Sequence, residues 1–107
     1  MDLHRLGELR SLAYHREIAR RIETDPALVR RARARAARWL SEGKAPWAME
    51  IWQGLLAGEG AALKKVLTED SESARRLRSC TPFAGELTSR ERWRIWADVR
   101  RQYEGAP

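Results

Sequence analysis

The stretch DPALVRRARARAARWLSE, residues 25–42, constrains this chain more than any other. Asp25 suits a helix N-cap, Pro26 suits the first turn and Gly43 suits the end. Val29, Ala32, Ala36, Trp39 and Leu40 recur at helical spacing and form one apolar stripe. Arg30, Arg31, Arg33, Arg35 and Arg38 fall on the other side. One face therefore wants a core, and the other carries guanidinium groups. A segment divided in this way reads as an ordered helix, although its Arg/Ala composition alone resembles a disordered, low-complexity run.

The flanking segments repeat the pattern. Residues 2–23 read as a first helix whose stripe, Leu3, Leu6, Leu9, Leu12, His15 and Ile18, steps by three and drifts round the axis. Such a wide face suits a helix touched by several neighbours. After Gly43 to Pro46 a third helix begins, with Ala48, Ile51, Trp52 and Leu55 on one face and Met49 and Leu56 beside it. Being apolar over most of its surface, it is expected at the centre. Gly58-Glu59-Gly60 ends it, and a short helix follows over 60–68. Asp70 or Ser71 then caps a helix of about two turns, with Ala74 and Leu77 inward and Arg75, Arg76 and Arg78 mostly outward. Pro82 and Gly85 interrupt the chain over 80–87, where Phe83 and Leu87 are expected to pin the loop to the core. Thr88-Ser89-Arg90-Glu91 is a capping-box pattern that opens a last helix over 89–103, lined by Trp96, Val99 and Tyr103 with Ile95 adjoining. No alternating strand pattern appears. The expectation is an all-α, compact bundle of five to six helices: a single domain over 1–107, with 1–2 and 104–107 frayed and most of the core in the first three helices. The five tryptophans are expected mainly in packing roles.

Charge and cysteine content narrow the function. The net charge is +6, and arginine outnumbers lysine 18 to 3, so acidic partners are favoured over cationic ones. Cys80 is the only cysteine, which rules out an intrachain disulfide and multi-cysteine metal sites. No window approaches the ~20 apolar residues of a membrane span. The opening MDLHRLGELR is charged from its second residue. The chain reads as soluble and cytoplasmic, with no membrane partner. No HExxH, calcium loop, GxSxG or P-loop is present, so neither a metal nor a cofactor is expected.

One spacing suggests catalysis. Arg10 and His15 form Arg-x4-His, which resembles the motif of HEPN ribonucleases, a family of small all-helical proteins. The resemblance implies that His15 would act as acid or base and Arg10 would stabilise a phosphate. Among 18 arginines such a spacing also arises by chance, and the simpler reading of His15 is a helix residue hydrogen-bonded to a neighbour. The basic faces offer a second reading, in which Arg31, Arg35 and Arg38 track a phosphate backbone.

A broader resemblance spans residues 10–40 and 74–95, RSLAYHREIARRIETDPALVRRARARAARWL and ARRLRSCTPFAGELTSRERWRI. These stretches resemble small helical bacterial proteins of toxin–antitoxin-type operons, where they look like the antitoxin or accessory partner of a toxin. The most specific piece is Leu77-Arg78-x-x-x-Pro82-Phe83-Ala84-Gly85 with the following Arg90-Glu91-Arg92-Trp93. Cys80 stands where polar residues are expected. The resemblance implies a protein partner such as a toxin, with autoregulatory DNA binding as an addition. On this reading Arg31, Arg35, Arg38, Pro82, Phe83, Arg90 and Arg94 are the candidate contact residues. Oligomeric state is not legible.

Overall fold

The computed structural model describes residues 2–105 and contains six helices: α1 Leu3–Ile22, α2 Ala27–Ser41, α3 Pro46–Ala57, α4 Ala61–Thr68, α5 Glu72–Arg78 and α6 Ser89–Gly105. No strand occurs among the described residues, and the helices form a compact all-α bundle with a radius of gyration of 14.0 Å. No helix among them is long and apolar enough to cross a membrane. The last helix runs through Glu104 and Gly105 instead of fraying after 103, and Asp2 is ordered as a cap. Met1, Ala106 and Pro107 lie outside the described residues.

The helix ends follow local chemistry. The Asp2 carboxylate accepts from the Arg5 backbone N–H at 3.1 Å, while Arg20 and Arg21 occupy the last turn of α1, where cations offset the carbonyl end of the dipole. Gly43, at φ 72°, closes α2 in a Schellman motif: its N–H donates to Leu40 O at 3.1 Å, and the Lys44 N–H donates to Trp39 O at 2.9 Å. The Asp25 carboxylate does not cap α2. It faces Arg31, and Pro26 stands at the helix entrance without a side-chain cap. Ser71, not Asp70, caps α5. The capping box of α6 is reciprocal, with Glu91 N–H donating to Thr88 Oγ1 at 3.1 Å and Thr88 N–H to Glu91 Oε1 at 2.9 Å.

The centre of the bundle is α1, not α3. α1 packs against α2, α4, α5 and α6, as its drifting stripe suggests, while α3 packs chiefly on α2. The core joins Tyr14 and Ile18 of α1, Leu28, Ala32 and Ala36 of α2, and Ala48, Met49, Trp52 and Leu56 of α3. Leu63 and Leu67 of α4 and Phe83 and Leu87 of the long loop complete it. Small alanines on α2 let α3 approach closely, and the indole of Trp52 fills the space between α3 and the loop. That indole meets the Phe83 ring edge-on, with centroids 5.9 Å apart, and donates to Leu77 O at 3.0 Å. Trp39, half-buried, packs against the same core as expected. The other three depart from that role: Trp47, Trp93 and Trp96 expose 45%, 71% and 39% of their surface.

Candidate functional site

The arginine face of α2 is largely neutralised by the chain itself. Arg31 donates to Glu86 from Nε at 3.1 Å and from Nη2 at 2.9 Å, and it also reaches Asp25 at 3.3 Å. Arg35 donates to Pro82 O at 2.6 Å and to Glu86 at 3.3 Å. Arg38 pairs with Glu42 at 3.6 Å. The Glu86 side chain is only 6% exposed. Burial alone would raise its carboxyl, but Arg31 and Arg35 outweigh that and hold it below the ordinary range. Arg31, Arg35 and Arg38, expected as contact residues, are therefore committed to intramolecular pairs. The first two clamp the 82–86 loop onto α2. Arg30 and Arg33 remain exposed and make no ion pair among the described residues.

Pro82 and Phe83 also leave the list of surface contacts, because both are buried in the core. The expected anchoring of this loop is correct, but its anchors face inward. The Tyr14 hydroxyl donates to Phe83 O at 2.6 Å, and Gly85 at φ 81° turns the chain back towards Leu87.

His15 belongs to the same anchor. Its Nδ1–H donates to Ser11 O at 2.7 Å, and its Nε2 accepts from the Thr81 hydroxyl at 2.8 Å. The Thr81 oxygen in turn accepts from the Phe83 N–H at 3.1 Å. A carbonyl can only accept, so these partners fix the neutral Nδ1–H tautomer. Burial, with the positive charge of Arg78 adding to it, lowers the imidazole pKa to about 4. A histidine with both nitrogens engaged and so low a pKa has no proton to exchange with a ligand near neutral pH.

α6 presents the contrasting surface. Arg90 and Arg94, at the remaining expected contact positions, are exposed and unpaired among the described residues. Trp93 stands between them, so the three occupy positions i, i+3 and i+4 of one helix face.

An open pocket of about 360 Å³ lies where α1, the end of α5 and α6 meet. Arg10, Arg78 and Arg92 line it together with His15, Thr81 and Trp96. Arg10 lies over the Trp96 ring at 5.7 Å from its centroid. Arg78 is 2% exposed, against the expectation of an outward side chain. Its Nη1 donates to Val66 O and Glu69 O, both at 2.7 Å, tying α4 to α5, while Nε and Nη2 have no partner. The buried Nε atoms of Arg10 and Arg92 are unpartnered as well. Arg10 and His15 thus do share one site, but the histidine braces its wall. The sequence did carry a signal for Arg78: Ala74, Leu77 and Arg78 fall at i, i+3 and i+4 on the inward stripe.

No protein-family model, curated protein or solved structure significantly matches this chain.

Proposed function

We propose that this chain is a non-catalytic binding protein, an antitoxin-like partner of another protein, and that it engages that partner through the outer face of α6. The observation that carries this reading is Trp93, 71% exposed between two arginines that have no intramolecular acid among the described residues. Tryptophan and arginine are the side chains most enriched at the energetic centres of protein interfaces. So exposed an indole would bury its apolar area only on association, and flanking guanidinium groups would pair with carboxylates of an acidic partner surface. Nucleic-acid binding draws on the same free charges, but Arg31, Arg35 and Arg38 are spent on the chain's own groups. The ribonuclease reading gains no support from a His15 whose nitrogens are both occupied.

The test is native co-purification of the full chain from its source cell. A stoichiometric acidic protein should accompany it. That protein should be lost with Trp93→Ala or with Arg90→Glu combined with Arg94→Glu, and retained with Arg30→Glu combined with Arg33→Glu. A chain that elutes alone, or whose partner is indifferent to the α6 substitutions, overturns the proposal.

A further inference from the structure

Among the described residues, the pocket between α1, α5 and α6 gathers three arginines with no acid beside them in its lining. Several neighbouring arginines are matched by acids. Arg5 and Arg75 share Asp70 and Glu8, and Arg21 joins α1 to α6 through Glu91. Arg10, Arg78 and Arg92 have no ion pair among the described residues, and no carboxylate lines their pocket. Arg78 is buried with two of its three nitrogens unpartnered. A buried cation with unfilled donors is costly, and an anion seated in the adjoining pocket would offset its charge.

The shape and charge of the pocket select the anion. Guanidinium groups present planar forks that match the oxygens of phosphate or carboxylate. Three uncompensated cations favour a dianion over a single carboxylate. The volume of about 360 Å³ falls in the range of small-ligand sites, roughly 300–1,000 Å³, and leaves room for more than a bare oxyanion. The indole of Trp96, already carrying Arg10, supplies an aromatic wall that is still 39% exposed. His15 and the Thr81 hydroxyl are held by each other, so the pocket offers no group to move a proton, and its chemistry is binding and not hydrolysis.

We propose that this pocket binds a small phosphate monoester carrying an aromatic group, with the phosphoryl group among Arg10, Arg78 and Arg92 and the ring against Trp96. The site is separate from the Arg90–Trp93–Arg94 face, and its test needs no protein partner.

Titration calorimetry of the full chain with adenosine monophosphate, inorganic phosphate and adenosine tests it. The monophosphate should bind saturably, at least about tenfold more tightly than inorganic phosphate, and adenosine should not bind measurably. Arg10→Gln and Arg92→Gln should each weaken the monophosphate by about tenfold or more, as expected for a lost charge-assisted hydrogen bond. Trp96→Leu should weaken the monophosphate and leave inorganic phosphate unchanged. Arg78→Gln removes the tie to Val66 and Glu69 and is liable to unfold the chain, so the Arg10 and Arg92 variants, checked for native helicity and melting temperature, carry the test. Absence of saturable monophosphate binding overturns the proposal. So does equal binding of phosphate and its ester, binding unaffected by both arginine substitutions, or binding only of a 5′-phosphorylated oligonucleotide.

Discussion

The Thr81 hydroxyl donates to His15 Nε2 at 2.8 Å, across 66 residues of sequence, and this bond ties the central helix to the loop that closes the core. It holds only while the imidazole is neutral. The folded pKa is lowered from 6.5 to about 4, so between those values the unfolded chain binds a proton that the folded chain refuses. Stability therefore falls as pH drops from 6.5 towards 4, by roughly 3 kcal/mol in all, with no further loss from this group below that. Above about pH 5.5 carboxylates contribute little to the slope, because they are ionised in both states; below that, Glu17, Glu86 and Glu91, held ionised in the folded chain by their arginines, add to the decline as the unfolded chain takes up protons. Urea denaturation at pH 7, 5.5 and 4.5 should show this decline in the native chain. His15→Gln should be less stable at pH 7 and nearly flat between pH 7 and about 5.5, where only the imidazole titrates. A native chain with no slope there would contradict the neutral, doubly bonded imidazole.

The Glu86 side chain holds two arginines while almost fully buried, so substitutions at Glu86 and at Arg31 should differ sharply. Glu86→Ala leaves Arg35 facing the loop without its acid and should cost about 3 kcal/mol or more, as breaking a buried pair does. Arg31 is half exposed, and Arg31→Ala should cost under about 1 kcal/mol. Thermal melts of both variants measure the difference. Glu86→Ala should also raise non-specific, salt-sensitive DNA binding, because it releases the arginines that the native chain neutralises.

How much of this could be read in the sequence depended on whether a residue's role followed from local spacing. The six helices, the Gly43 ending and the Thr88–Glu91 box were legible, because each rests on contacts within five residues. The arginines of α2 were correctly placed on the outer face, yet their partner Glu86 lies 51 to 55 residues away, and helical periodicity carries no information about such pairs. Arg78 reads as outward by residue type, which is usually solvated, although its register with Ala74 and Leu77 points inward. The reverse holds on α3: Trp47, met by the Arg76 guanidinium at 5.4 Å from its ring centroid, and Ile51 stay 45% and 47% exposed, so hydrophobicity overstates their burial.

Phe83 marks the loop as a core element. It is fully buried against Trp52, so Phe83→Ala should cost about 3–5 kcal/mol, a large share of the stability of a domain this size. Phe83→Leu, which keeps most of the volume, should cost about 1 kcal/mol, within the range for volume-conserving swaps. Chemical denaturation gives both values. If Phe83 were instead a surface contact residue, Phe83→Ala would leave the midpoint nearly unchanged and alter only partner binding.

The α2–α3 connection sets two left-handed residues two positions apart, and they should respond oppositely to substitution. Gly43 at φ 72° makes the Schellman closure, and nothing lies within 4 Å of where a Cβ would stand. The cost of Gly43→Ala is therefore purely conformational, about 1 kcal/mol of destabilisation. Ala45 at φ 42° adopts the same region with a side chain that disfavours it, directly before Pro46. Ala45→Gly relieves that strain, but it gives back some unfolded-state entropy and the packing of one partly buried methyl group. The balance is a gain of up to about 0.5 kcal/mol, read as a higher melting temperature. Because both positions sit at the end of α2 and the start of α3, the two shifts should appear in the melting temperature while leaving nucleotide binding in the distant α1–α6 pocket untouched.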